Sequence, residues 1–406
     1  MQFYITFSFV FSLAYIIYTT RPFAVFFMSG DTNYLNNTDM QLSLTIITRM
    51  LYLLIGIMTW LNFKAIYQTL RRYWSIIAWL AYLLVSLIYQ DVASVTSIRI
   101  MSLIINILFC IYFANTYGIE KQIDIWKLAL SVVLGFSIIF IVFVPEIATS
   151  HNSVTGTAWL GIFSLGKNGF SKVALLFWII CLVYTNQTRM SYGAWAGLLV
   201  TTILILMSQS VTGIFAMGFL FFFFLIMKIM NESTSKWKFV FIIFLLSMTW
   251  LLMVGFWHYE FILDIFNRDI SWSGRFKFWP TMLEILGAQL WLGYGFESFW
   301  ENSNTGYIYL INTVSWKQIL AAHNGFLELC LGTGLIGFVL FMISFAQAIR
   351  WSWIYLKSNS TFTRYWPIMS LAYLIVINMT ESMLIRSNYF TLILYFTLYY
   401  SLGKWH

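Results

Sequence analysis

The feature that most limits this chain is a succession of apolar runs of bilayer length. They lie near 2–20, 42–62, 74–89, 100–118, 126–144, 170–185, 193–208, 211–230, 238–257, 325–349, 365–383 and 388–403. A hydrocarbon core about 30 Å thick needs about 20 such residues per helix. The sequence therefore predicts an all-α, polytopic membrane bundle of about 12 transmembrane helices. One such bundle absorbs all 406 residues, so the division of a long soluble chain into two or three domains does not apply. Charged residues make up only 9% of the chain, against about 25% in soluble domains, which excludes a disordered protein and a large soluble catalytic domain. The three cysteines, Cys110, Cys181 and Cys330, each sit in an apolar run without metal-ligand spacing, so neither a disulfide scaffold nor a zinc site is expected. The first run lacks a charged leader and a small-residue cleavage site and reads as a retained helix.

Cytoplasmic loops carry the lysine and arginine excess of a membrane protein. With both termini inside, 13 of the 23 basic residues fall on the cytoplasmic side and nine outside, with Arg49 within a span. Four of the nine belong to one long loop, where the rule is weak. Twelve of the 15 acidic residues fall outside or at outer helix ends. The domain plan is a nine-span bundle over 1–257, a large outer loop over 258–324 and three further spans over 325–406. A second outer segment runs from Pro145 to Gly169. Within the large loop, Ser273 to Leu286 has an N-cap residue and the apolar spacing of an interfacial helix. The basic residues are scattered over many short loops, so the net charge of +8 does not point to nucleic acid.

Several residues carry potential chemistry. His323, in Ala-Ala-His-Asn-Gly-Phe-Leu-Glu, stands where the large loop enters a span. A helix N-terminus disfavours the imidazolium, and a neutral imidazole can accept a proton as a general base. The same position suits a histidine that only caps the helix, and the residues alone leave both readings open. His151 is the rival candidate in the other outer segment. Arg275, with Lys277 two residues on, offers a planar guanidinium suited to phosphate oxygens, or a solvated interfacial arginine. Arg49 lies about two turns into a span, where an ion is a functional candidate unless it reaches the surface. Lys167 and Lys172 add positive charge near the second outer segment. Glu381 and Arg386 flank the last outer turn and either pair with each other or line a cavity with Asn378. Glu297 and Glu301, four apart, read as an exposed helical acidic face more readily than as a ligand pair. Gly332-Thr333-Gly334-Leu335-Ile336-Gly337 spells a dinucleotide fingerprint but lies inside an apolar helix without a preceding strand. It reads instead as small residues that let helices approach. No Walker A loop, nucleophile elbow or H-E-x-x-H occurs, so ATPase, serine hydrolase and zinc protease readings lack support.

Four stretches taken in order resemble the bacterial O-antigen ligase and O-antigen or exopolysaccharide polymerase superfamily. They are Trp159 to Asn168, containing Gly161, Phe163, Lys167 and Asn168; Ser208-Gln209-Ser210-Val211-Thr212; Gly274-Arg275 with Trp279 and Leu292-Gly293-Tyr294-Gly295; and His323-Asn324-Gly325 with Glu328, Gly332, Gly334 and Gly337. The resemblance implies a GT-C-like bundle in the bacterial inner membrane that performs metal-independent glycosyl transfer on its outer face, without a cofactor. The implied donor is a saccharide linked to undecaprenyl diphosphate, and the acceptor a glycan or a lipid A core. A chain-length regulator is a further implied partner. In this reading His323 deprotonates the acceptor hydroxyl and Arg275 holds the diphosphate, with inversion at the anomeric carbon. Arg49, Lys167, Asn168, Lys277, Asn324, Glu328 and Glu381 would bind substrate. The family's usual basic residue in the Ser208–Thr212 turn is replaced by Val211, so Arg49 or Arg99 would have to supply that charge. The Gly161 to Asn168 loop is more similar to the polymerase branch, which favours a polymerase over a ligase. A lipid-linked sugar flippase is the alternative of another class, but internal repeats and midplane polar sites are not evident.

Overall fold

The computed structural model describes residues 2–22, 38–152, 156–163, 166–187, 191–232, 275–313, 321–387 and 389–404. The helices in chain order are α1 (Gln2–Thr19), α2 (Thr38–Leu61), α3 (Phe63–Arg72), α4 (Trp74–Ser86), α5 (Ala93–Thr116), α6 (Ile119–Phe143), the single turn α7 (Pro145–Ala148), α8 (Gly166–Tyr184), α9 (Tyr192–Met207) and α10 (Val211–Glu232). After residues 233–274 come α11 (Arg275–Ala288), α12 (Thr305–Thr313), α13 (Gly325–Ser358), α14 (Trp366–Asn378) and α15 (Phe390–Gly403). The fold is an all-α polytopic bundle. Its one sheet among the described residues is a two-stranded antiparallel ribbon between α7 and α8, β1 (Thr149–Asn152) with β2 (Gly156–Trp159).

Eleven of the twelve apolar runs coincide with helices; the run at 238–257 lies outside the described residues. Not all of them are full spans. Among the described residues five helices are long and apolar enough to cross a membrane, or six if the pair bent by 88° between α2 and α3 counts as one. Twelve complete spans are therefore not confirmed. The physical reason is visible in α14 and α15. They have 13 and 14 residues, and α15 is buried along its whole length. A helix enclosed by other helices can end inside the membrane's thickness, because protein rather than lipid receives its terminal polar groups.

Tyrosine hydroxyls tie α15 to neighbouring helices. Tyr395 shares a hydrogen with Ser344 at 2.6 Å, Tyr399 with Ser75 at 2.7 Å, and Tyr73 donates to the Tyr400 carbonyl at 2.9 Å. Such bonds join helices that have no hydrophobic drive to associate in lipid. Close approach is secured by small residues. A Cβ on Gly403 would lie 2.2 Å from the Tyr73 ring, and one on Gly197 would lie 2.5 Å from Cys181. Cys110 and Cys181 are buried free thiols, in keeping with the packing role expected of them. The outer helices do the reverse and present large apolar side chains outward, with Trp60 79% and Ile88 85% exposed. In water that surface would be an aggregation patch; against acyl chains it is matched to its solvent.

The glycine-rich run of α13 packs closely, but it also breaks the helix. Gly334 has φ 61° and ψ −173°, a conformation almost restricted to glycine. The break frees backbone groups on both sides, and the segment 290–295 takes them up. Tyr294 and Gly295 donate their N–H groups to the carbonyls of Leu331 and Gly332 at 2.8 and 2.9 Å. Leu335 and Ile336 donate to Leu290 and Trp291 at 2.7 and 3.3 Å. The Leu292-Gly293-Tyr294-Gly295 stretch is thus a splice laid into a broken helix. Its glycines are needed because a Cβ on Gly293 would lie 2.3 Å from the Gly334 nitrogen.

Candidate functional site

His323 sits on the segment that leads into α13, and its backbone is held in an uncommon state. Its φ is 51°, in the left-handed region that non-glycine residues seldom occupy. Three contacts fix the peptides around it. Trp279 on α11 donates its indole N–H to the Ala322 carbonyl at 2.9 Å. Glu328 accepts the Ala322 N–H at 2.9 Å and is itself held by the Trp300 indole. The Asn324 N–H donates to the Ser382 hydroxyl at 3.2 Å. Asn324, not His323, is the N-cap of α13, accepting from Phe326 and Leu327 at 3.0 and 3.1 Å. The capping role that the sequence left open for the histidine is therefore taken by its neighbour. Conformational strain of this kind costs on the order of 1–3 kcal/mol and persists only where surrounding contacts over-determine it.

The His323 ring faces a carboxylate. Its Nδ1 lies 3.7 Å from Glu381 Oε2, close enough for a charge pair though long for a hydrogen bond. Glu381 is only 9% exposed and is fastened on its other sides. Lys172 Nζ lies 3.3 Å from the same oxygen, and Asn168 Nδ2 donates to Oε1 at 2.9 Å. Ser210, at the start of α10, donates its hydroxyl to Asn168 Oδ1 at 2.9 Å. One connected row runs from the Ser208–Thr212 turn through Asn168 and Glu381 to His323. It joins three of the four sequence stretches singled out above. Glu381 is thus brought against His323 and Lys172, while Arg386 lies over the Tyr389 ring. Lys172, expected to add positive charge near the second outer segment, is 1% exposed and is the buried counter-ion of this carboxylate.

Beside this row lies a cavity of about 800 Å³, walled by the end of α1, by α2 and α5, by the first turns of α13 and by the segment 382–387. Four arginines line it, Arg21, Arg49, Arg99 and Arg386, against two carboxylates, Glu297 and Glu328. Gly325, two residues after His323, is on the same wall. Arg21 and Arg386 both lie against the ring of Tyr389, at 4.3 and 5.3 Å from its centroid. A cation over an aromatic face is held without a carboxylate, so its hydrogen-bond donors stay available to an incoming anion. Arg99 is more committed: it pairs with Glu301 at 2.5 Å and donates to the Glu297 carbonyl. Glu297 and Glu301 therefore do not form an exposed helical face. They lie in a turn, where Glu297 has φ 56° and accepts from the Ser387 backbone and hydroxyl. Burial pushes the Glu297 carboxyl above its ordinary range, opposed by Ser387, Arg386 and Arg99.

The other sequence candidates fall elsewhere. Lys167 is half-buried at the start of α8 and is not among the described residues lining the cavity. His151 lies exposed on β1, with its Nδ1 3.1 Å from the Thr157 hydroxyl. The α11 helix confirms the helical reading of the 273–286 region, but Ser273 and the side chains of Arg275 and Lys277 lie outside the described part. Arg21 and Arg386 were not singled out as anion ligands by sequence. Their signal was weak: both are outer bases next to polar breaks, like several others.

A family model described as O-antigen ligase matches residues 173–342. The match covers less than half of the chain and supports its resemblance to the O-antigen ligase and polymerase superfamily. The matched segment runs from within α8 through the first half of α13, and so carries the Ser208–Thr212 turn, Trp279, the 290–295 splice and His323; Lys172 lies just before it. No curated protein matches the chain. That similarity supports membrane glycosyl transfer of the ligase or polymerase type, and the long apolar helices fit a multi-pass membrane protein.

Proposed function

We propose that this protein polymerises undecaprenyl-diphosphate-linked oligosaccharide repeats on the periplasmic face, by metal-independent transfer with inversion. The observation that carries the reading is an arginine-lined cavity immediately beside a carboxylate-held histidine. A lipid diphosphate bears two negative charges, and Arg21, Arg49 and Arg386 offer planar donors to its oxygens. Those charges grow on the leaving diphosphate as the glycosidic bond breaks, so fixed cations favour the transition state over the ground state. Glu381 holds the His323 Nδ1 side, which leaves Nε2 to take the proton of an attacking sugar hydroxyl. The family cation missing at Val211 is supplied in this account by Arg49 and its cavity partners. Both termini are cytoplasmic here, which puts the cavity outside.

The test is reconstitution in phosphatidylcholine nanodiscs with an undecaprenyl-diphosphate-linked repeat, products being resolved by mass spectrometry. His323→Ala and the double variant Arg49→Ala/Arg386→Ala should each lower product formation by on the order of 10²-fold or more. A ladder of repeats from the lipid-linked substrate alone supports the polymerase. Products that appear only after lipid A core is added, one glycan per core, indicate the ligase instead. An undiminished ladder in both variants would remove the catalytic assignment.

A further inference from the structure

A second cavity lies on the far part of α11, away from the arginines. It holds about 390 Å³ and is bounded by α11, the start of α12 and Tyr294. Its polar lining is Glu284, Gln289 and Thr305, and its aromatic lining is Tyr294 and Tyr309. No arginine, lysine or histidine is among the described residues that line it. The size falls within the range of small-molecule pockets.

The groups are arranged rather than loose. Tyr309 is exposed, with its hydroxyl 3.2 Å from Glu284 Oε1. Tyr294 is buried and donates to the Ile285 carbonyl at 2.8 Å, so it forms a fixed aromatic floor. Asp91 reaches across from the segment after α4 and accepts the Thr305 hydroxyl at 2.7 Å. Carboxylate and amide oxygens that accept from adjacent hydroxyls, set beside aromatic rings that cover apolar C–H faces, match the two-sided surface of a pyranose. The carboxylates of Glu284 and Asp91 disfavour an acidic sugar.

The cavity is joined to the His323 segment through α11. Trp279 touches the residue before that histidine, and α11 carries on from it past Glu284 to Ala288, with Gln289 in the turn just beyond. At 1.5 Å per residue those positions lie about 7 to 15 Å along the helix axis from the contact. A short glycan whose end is at the imidazole would reach that far. We propose that this cavity is a saccharide subsite that holds neutral sugars of the glycan chain, remote from the bond being made. It rests on the glycosyl-transfer reading for its biological use, but its binding is testable apart from it.

Saturation-transfer NMR on the full chain in phosphatidylcholine nanodiscs, free of sugar detergents, reads the binding directly. The probes are cellobiose and its uronic-acid counterpart. Cellobiose should receive saturation from the wild type and from His323→Ala, and the acidic disaccharide markedly less. Tyr309→Ala and Glu284→Gln should lower the cellobiose signal at least fivefold, while Tyr309→Phe, which keeps the ring, should retain most of it. With the lipid-linked substrate, Glu284→Gln should raise KM and leave kcat unchanged. Absence of signal with the wild type, an undiminished signal in Tyr309→Ala and Glu284→Gln, or saturation of lipid headgroup protons in place of cellobiose would each overturn the subsite. Sugar binding lost in those two variants, in a protein whose product ladder survives His323→Ala, would support the subsite while removing the catalytic assignment.

Discussion

Replacing Glu381 separates what its row of contacts does for folding from what it does for chemistry. Lys172 is 1% exposed, and Glu381 lies 3.3 Å away, so the pair is screened little by water. Removing one member of such a pair strands a buried charge, at a cost of about 3–5 kcal/mol. Glu381→Ala should therefore destabilise the protein severely, and its inactivity would prove nothing. Glu381→Gln keeps the shape and keeps an oxygen for Asn168, yet it still strands the lysine. Adding Lys172→Met removes the second charge, and replacing both members of a buried pair is often neutral or stabilising. The double variant Lys172→Met/Glu381→Gln should thus unfold within a few degrees of the wild type. Its activity should stay low, because a neutral amide no longer stabilises the imidazolium that forms when His323 takes a proton. General acid–base catalysis is worth typically 10²–10⁴-fold, which sets the expected loss. Fluorescence-detected size exclusion after heating measures the first quantity, and the rate of repeat addition in nanodiscs the second. Recovery of activity together with stability would show that Glu381 serves only to neutralise Lys172, and the account of the histidine would then be wrong.

Two further outcomes follow from the geometry. Gly334→Ala should cost at least about 3 kcal/mol in thermal unfolding, because a Cβ would meet the backbone of Trp291 at 2.4 Å and the φ of 61° is almost closed to alanine. Unchanged stability would mean that the 290–295 splice is not present. Glu297 links the cavity to pH. Its carboxyl titrates above the ordinary range, so the folded state holds the proton longer than the unfolded chain does. Its contribution to stability is present below the unfolded value and is lost as pH rises through the folded one. Lowering pH through that interval neutralises a negative group facing Arg99, Arg386 and Ser387, so sulfate, whose charge is constant there, should bind about fivefold tighter, equivalent to about 1 kcal/mol of removed repulsion. Glu297→Gln should bind tightly at every pH; an unaltered pH profile in that variant would refute the link.

How much of this was legible in the residues depends on the range of the interaction concerned. Helix positions were, because an apolar run in lipid has few ways to satisfy its backbone. Span count was not, since a short helix enclosed by protein, like α15, has the same composition as one that crosses lipid. His323 was legible as a candidate because histidine is scarce and stands at a loop–helix junction. The role of its partner was not. Glu381 lies 58 residues further on, and Arg386, nearer to it in sequence, offered the more obvious pair. Gly334 shows the same limit. Its spacing said that helices approach closely, which is so, but whether a glycine packs against a helix or opens it is settled by the 290–295 segment.

The placement of charge carries the reasoning further than any single motif. Lysine and arginine belong on the cytoplasmic side for insertion, and a base left on the other side has no topological reason to be there. Of the bases that the sequence put outside or within a span, Arg21, Arg49, Arg99 and Arg386 converge on one cavity although they come from four separate parts of the chain. Lys172 stands outside that group, paired with Glu381 at 3.3 Å. The proposed function gives the two groups different tasks: Lys172 and Glu381 would orient a base, and the arginines, with Glu297 as a titratable counterweight, would receive an anion. Converging arginines alone would suit an anion transporter as well as an enzyme. Under the proposed function the choice falls to the histidine beside them, whose backbone is held at φ 51° with its ring facing Glu381: an enzyme that must move a proton needs it, and a simple anion path does not.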